Sequence, residues 1–360
     1  MKREKNQYIF APDEKKGRGR RFLKAVVVLI LLLILVGFVV NFIMTHQVVL
    51  EERKITILNL PNDLDQYSIL HISNLHGDEL GDGQKRIASA LGSQRYSCVV
   101  MTGDMLGEDH DVQPVLDLIG LMPADTLKIF IPGDSDGSII DEKAHNSLSV
   151  FTEWAEKLKA AGVVVLDTPY SVTRGKGTVW FVSEELYTLD LDGLYDVYAK
   201  QLENMNANSA SLDADDAAKK RAVEYRLEWI EQIRETKKQI KPEDIQIVLT
   251  HTPLDETYVH DVVAWAAKDN IFSMRYASLI LAGHYNGGQW RIPFVGAVYV
   301  PELGWFPEDS AITGLSYPDG IPQYISPGLG SGDKQHYPYQ PGRLFNSPTI
   351  TLITLTPRMF

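Results

Sequence analysis

The stretch Ser278-Leu-Ile-Leu-Ala-Gly283-His284-Tyr-Asn286-Gly-Gly-Gln289 decides how the rest of the chain is read. Its aliphatic half reads as a buried strand that stops abruptly at Gly283 and His284. Open α/β sheets place their chemistry at such strand ends. Three other runs end the same way: Ile69-Leu-His-Ile-Ser-Asn74-Leu-His76, Val99-Val-Met-Thr-Gly103-Asp104 and Ile245-Gln-Ile-Val-Leu-Thr-His251. One apolar strand tipped by His or Asp means little; four in one chain point to a shared metal site.

The surrounding composition is that of a globular protein, with 44% hydrophobic and 23% charged residues. A single cysteine, Cys98, lies within an apolar run, which excludes an internal disulfide and a thiolate metal site. The formal charge of −12 conceals an asymmetry. Residues 1–24 hold nine Lys/Arg and three Asp/Glu, leaving 26 basic against 44 acidic residues for the rest. A body this acidic is a poor partner for duplex nucleic acid, whose affinity rests on cationic phosphate contacts.

Ala25 to Met44 is an almost unbroken apolar run, long enough for the hydrocarbon core of a bilayer. A cleaved signal peptide would show a shorter core and a small-x-small cleavage site, neither of which is present. Arg18, Arg20, Arg21 and Lys24 crowd the N-terminal side. The positive-inside tendency then predicts a cytoplasmic tail over 1–22, an anchor over 23–44, a linker over 45–54 and an extracytoplasmic domain over 55–356. The protein is thus expected in the cell membrane, single-pass, with its N-terminus in the cytoplasm.

Within the domain, strands near 54–60, 67–73, 97–102, 127–132, 163–166 and 177–183 alternate with helices near 83–93, 111–122 and 146–161, which predicts a layered α/β fold. Further strands are expected at 245–250, 278–283, 296–300, 323–326 and 349–355. Residues 186–241 break the alternation as a charged helical insert, with Ala222, Tyr225, Trp229 and Ile233 on one apolar face. That face fits a helix packed on the domain flank; a lid or partner-binding arm is the sharper alternative.

Convergence of His76, Asp104, His251 and His284 from separate strand ends would suit divalent cations, for which Gly103-Asp104 offers a carboxylate on a sharp turn. The ordered set Ser73-Asn-Leu-His76, Thr102-Gly-Asp104, Pro132-Gly-Asp-Ser-Asp136, Leu249-Thr-His251 and Gly283-His-Tyr-Asn286 resembles the motifs of the calcineurin-like metallophosphoesterases, in particular a membrane-anchored bacterial branch. Segments Gly288-Gln-Trp-Arg-Ile-Pro293, Gly304-Trp-Phe-Pro307, Ser326-Pro-Gly-Leu-Gly330 and Arg343-Leu-Phe-Asn-Ser-Pro348 extend the likeness over roughly 55–356. The resemblance implies a four-layer α/β/β/α sandwich behind the N-terminal transmembrane helix.

Four positions depart from the family pattern. Asn74 stands for a ligand Asp, Asp134 for a ligand Asn, Ser135 for the His near the leaving group, and Asn286 for the second His of the last motif. By the resemblance, one metal position would comprise Asn74, His76, Asp104 and Asn286. Amide oxygens there bind transition metals weakly, so this half is degraded. The other would comprise Asp104, Asp134, His251 and His284, a complete set. The expectation is one divalent ion per chain, drawn from Mn, Fe or Zn. Ser135 cannot donate a proton near neutral pH as an imidazole would.

Two functions remain open at this point. One is a weakened or specialised extracytoplasmic phosphoesterase, with phosphodiesters favoured and wall polymers, lipid headgroups or nucleotides as candidate substrates. The other is a catalytically inactive relative that binds a ligand or acts as a scaffold. Trp290, Trp305, Phe306, Tyr337 and Tyr339 fall in loops that could rim the site.

Overall fold

The structure is a computed structural model and describes residues 15–107, 109–143, 149–207, 213–266, 270–331 and 342–358. The chain forms two compact units that divide between Met44 and Thr45. Among the described residues, the first holds all but the last turn of helix α1 (Lys15–His46). Its portion Gly19–His46 is long and apolar enough to cross a membrane. At 1.5 Å per residue, the twenty residues from Ala25 to Met44 rise about 30 Å, the thickness of a hydrocarbon core.

The second unit opens with β1 (Val49–Ile57), β2 (Ser68–Ile72), α2 (Lys85–Leu91), β3 (Cys98–Thr102), α3 (Gln113–Gly120), β4 (Leu127–Ile131), α4 (Glu153–Ala160) and β5 (Val163–Val165). It continues with β6 (Tyr170–Arg174), β7 (Gly177–Ser183), α5 (Leu191–Ala207), α6 (Ala214–Lys237), β8 (Ile245–Leu249), α7 (Glu256–Trp265) and β9 (Ala277–Ala282). Short pieces follow: β10 (Arg291–Ile292), β11 (Gly296–Ala297), β12 (Tyr299–Val300), β13 (Gly304–Trp305), α8 (Asp309–Ile312), β14 (Gly314–Ser316) and β15 (Gln323–Ile325). Strand β16 (Thr349–Pro357) closes the domain.

These strands make two six-stranded sheets, ordered β1-β16-β2-β3-β4-β5 and β14-β15-β9-β8-β7-β6. Alternating side chains along each strand explain why the sheets stack. Ile69, Cys98, Val100 and Ile129 of the first sheet meet Val179, Ile245, Ile247 and Leu279 of the second in one buried cluster. The intervening residues Leu70, Ile72, Val99 and Met101 face away, toward Ile87, Val115 and Leu158 of α2, α3 and α4. On the far side, Val248 and Ile280 pack against Ile233 of α6 and Val259 of α7. The result is the α/β/β/α sandwich.

Strand direction places the chemistry. β2, β3, β4 and β5 run parallel, as do β7, β8, β9 and β15, and the candidate site residues follow the C-terminal ends of both sets. β16 runs antiparallel to β2, and β1 parallel to β16, so the start of β1 lies at this same edge.

Several boundaries differ from expectation. Residues 49–54, expected within a linker, already belong to β1, which pairs with β16 over nine residues. Glu51-Glu52-Arg53-Lys54 reads as a linker because β1 is an edge strand, whose main-chain pairing tolerates polar side chains. Strand β6 was not anticipated for the same reason, being an exposed edge. The strand expected at 296–300 divides into β11 and β12, each in its own two-stranded ribbon. The insert forms α5 and α6, and the carboxylate of Asp213 caps α6 by accepting from Asp216 N (2.9 Å). Its apolar face, including Ala222, Ile230 and Ile233, is buried, and the Trp229 indole donates to Asp167 O (2.6 Å).

Candidate metal centre

Five site residues, Asn74, His76, Asp104, His284 and Asn286, all adopt positive φ between 51° and 73°. Such backbone is uncommon outside glycine and costs free energy, so its concentration at one sheet edge marks a functional locus. Two glycines let the loops close on one another. A Cβ on Gly103 would meet the Gly133 backbone at 2.6 Å, and one on Gly133 would meet Asp104 N at 2.4 Å. Asp136 pins the same loop, its buried carboxylate accepting from Leu106 N and Gly133 N, both at 2.7 Å.

One half of the site presents ligand atoms to a common point. Asp104 Oδ2 lies 3.1 Å from His251 Nε2, and His251 Nε2 lies 3.2 Å from His284 Nδ1. Asp134 Oδ2 is 3.3 Å from His284 Nδ1 and 4.0 Å from His251 Nε2. Ligands bound at roughly 2.1 Å in tetrahedral or octahedral geometry stand about 3.0–3.4 Å apart when adjacent, the spacing of Asp104 to His251 and of His251 to His284. Asp104, His251 and His284 together can hold a metal ion. Asp134 approaches from the exposed side, where 74% of its side chain faces solvent.

Supporting contacts orient these ligands. His251 Nδ1 donates to Thr102 O (2.9 Å), which turns Nε2 toward Asp104 and His284. Ser135 N donates to Asp104 Oδ1 (2.8 Å). On the outer side of His284, Nε2 faces Glu302 Oε1 at 3.6 Å. Burial works against the Asp104 carboxylate, but the hydrogen bond and charge of His251, then His76 and the Ser135 N–H, outweigh it and hold its pKa well below the usual range. Burial likewise opposes a charged His251, yet the hydrogen bond and charge of Asp104 raise its pKa above the ordinary histidine value.

The other half is wired differently. The buried Asn74 side chain accepts from His284 N and donates to His284 O, both at 3.0 Å. Its amide acts as a two-point clamp between the loops after β2 and β9, a role that a carboxylate lacking N–H donors cannot fill. Asn286 Nδ2 donates to His76 Nε2 (3.2 Å), while Asp104 Oδ2 is 3.8 Å from the same nitrogen. Burial lowers the His76 pKa, against the opposing charges of Asp104 and Asp78. Behind Asn286 lies Arg343, fully buried, donating to Gly330 O (2.7 Å) and Pro327 O (2.9 Å) and approaching Asn286 Oδ1 at 3.4 Å. Its positive charge also acts to lower the His76 pKa.

The Ser135 hydroxyl is not aimed into the site; it donates to Leu106 O (3.1 Å). Of the loop aromatics, Trp305 and Phe306 are exposed and Trp290 is half-buried, while Tyr337 and Tyr339 lie outside the described residues. A cavity of about 530 Å³ reaches His251 and is walled by Tyr198, Tyr225 and Trp229 of the helical insert. Sequence reasoning missed Glu302 and Arg343 as site neighbours, although Arg343 opens one of the segments that carry the resemblance.

The family profile of the calcineurin-like phosphoesterases matches residues 67–286, which span all of these ligands. The chain belongs to this family. Members of this family typically bind divalent metals, and the Asp104–His251–His284 cluster is where an ion could bind. No curated protein matches the chain. Among solved structures, the phosphopantetheinyl hydrolase of Mycobacterium tuberculosis is similar at 15% identity, covering 82% of this chain and 98% of that one, with a TM-score of 0.36.

Proposed function

We propose that this calcineurin-like phosphoesterase hydrolyses phosphoesters, phosphodiesters above all, through one divalent ion held by Asp104, Asp134, His251 and His284. The observation that carries this reading is the approach of four ligand atoms to within 3.1–4.0 Å in one half of the site. The amide clamp of Asn74 and the guanidinium of Arg343 argue against a second ion in the other half. Bound there, the ion would polarise a phosphoryl oxygen and make a water more acidic.

The protein's own groups do the rest. Thr102 O fixes the His251 tautomer, the Ser135 N–H steadies Asp104, and Glu302 sets the His284 ring. His76, neutral and hydrogen-bonded through Nε2, flanks Asp104 on the opposite side. The basic residues in the first turns of α1, among them Arg18, Arg20, Arg21 and Lys24, support an orientation with the domain outside the membrane. Purified full-length protein is expected to cleave a generic aryl phosphodiester in a chelator-sensitive manner. A catalytic rate unaffected by His251→Ala would overturn the assignment.

A second reading is favoured by one observation. The loop where the family carries a His presents only Ser135, whose hydroxyl is turned onto Leu106 O. An inactive, ligand-binding relative would then hold metal without turnover. Its signature is one bound ion, no cleavage, and no rescue by Asn74→Asp, Ser135→His and Asn286→His combined.

A further inference from the structure

Outside α1, half of the exposed large hydrophobic side chains among the described residues fall between Ile292 and Phe306. Phe294 is fully exposed, Trp305 72%, Val295 63% and Phe306 57%. Monomeric proteins seldom leave so concentrated an apolar patch uncovered. The segment is also almost uncharged, since only Arg291 and Glu302 carry charge between Trp290 and Phe306, in a domain that is otherwise strongly acidic. It lies directly over the metal centre: Glu302 faces His284, and Tyr285 packs against Ala297 and Val300.

The chain's own path brings an apolar partner to this edge. Strand β1 starts at the site edge, where Val49 N donates to Pro348 O (2.8 Å) and nearby Asn346 donates to Asn286 O (2.8 Å). Only Gln47 and Val48 separate β1 from the end of α1, a reach of about 10 Å even when fully extended. Those two residues are the whole tether between an anchoring helix and the start of β1.

We infer that the ribbons between Ile292 and Phe306 rest in the membrane interface, so that the metal centre works on phosphoesters displayed at the bilayer surface, with lipid headgroups as the substrate class. Aromatic side chains favour this zone, where a ring can be apolar on one side and wet on the other. With so little charge in the segment, the contact is apolar rather than electrostatic, and zwitterionic lipid suffices. The proposal rests on the phosphoesterase reading for its substrate and on α1 as the anchor.

The test uses the full chain in phosphatidylcholine nanodiscs, with an environment-sensitive fluorophore on Phe294→Cys or, as a control at the opposite edge, on Leu58→Cys. Cys98 is fully buried and does not compete for the label. Lipids brominated on their acyl chains are expected to quench the label at 294 at least threefold more than at 58, with no dependence on salt. Equal quenching at both positions, or none at 294 because a protein partner or solvent covers it, overturns the bilayer contact. In the second arm, Phe294→Ser with Val295→Ser is expected to slow hydrolysis of a bilayer-embedded phospholipid about tenfold and of a soluble aryl phosphodiester less than twofold. An equal loss on both substrates, or none on the lipid, overturns the substrate assignment. If the unaltered protein cleaves neither substrate, the phosphoesterase reading and the substrate assignment fall together, while quenching still decides the contact.

Discussion

The two halves of the metal centre share a sheet edge, positive-φ loops and the Asp104 carboxylate, yet they have diverged in chemistry. In the half built by His251, His284 and Asp134, the bond from His251 Nδ1 to Thr102 O turns Nε2 inward, and carboxylate and imidazole atoms meet there. In the half built by Asn74, His76 and Asn286, the hydrogen bonds join the would-be ligands to one another and to the backbone. Position at the sheet edge thus does not make a metal site; what matters is whether carboxylate and imidazole atoms or amides converge there.

This contrast can be broken most severely at His251. Replacement by Ala removes an imidazole and leaves Asp104 without its main partner, and we expect metal affinity to fall more than 100-fold, measurable by competition with a chromophoric chelator. Restoring family ligands attacks the other half. Asn74→Asp with Asn286→His should allow a second ion to bind, detectable by elemental analysis. The metal-free variant should also unfold about 1–3 kcal/mol more easily in denaturant titrations, because His284 O loses its buried donor.

A smaller effect is expected at Glu302, where Gln should weaken metal binding by about tenfold, the usual cost of losing a partner that orients a ligating imidazole. Ser135→Ala should change turnover by less than about twofold, since its backbone N–H, not its hydroxyl, serves Asp104. A large loss there would show that the hydroxyl takes part in the chemistry.

The pH dependence follows from the Asp104–His251 pair in the metal-free protein. His251 has a raised pKa, so its stabilising contribution is full below about 6.5 and is lost as pH rises through the folded value. Asp104 has a lowered pKa, so its contribution is present above about 3.9 and is lost as pH falls through the folded value. The pair therefore stabilises the metal-free domain most between about pH 4 and 6.5. Metal must displace the His251 proton, so the thermal shift caused by metal should grow as pH rises above that window, which a pH series of melting curves with and without chelator checks.

Much of this was legible in the sequence because the ligands announce themselves. Apolar runs that end in Gly-His, Gly-Asp or Thr-His place polar groups at strand tips, and the structure brings His76, Asp104, His251 and His284 to one edge as that pattern implies. What the sequence hid were relations set by tertiary contact. Asn74 reads as a lost ligand, and only its paired bonds to His284 reveal a clamp. Glu302 sits between β12 and β13 with nothing local to mark it, and Arg343, though it opens a segment of the resemblance, meets Asn286 only through the fold. Strand β1 was obscured because an edge strand can carry Glu51-Glu52-Arg53-Lys54 without burying them.

The most direct test of the central contrast is a count of metal per chain in full-length protein equilibrated with Mn, Fe or Zn and freed of loose ions. The account predicts one ion, lost in His251→Ala and kept in Asn286→Ala. Two ions in the unaltered protein, or one that survives His251→Ala, would contradict it.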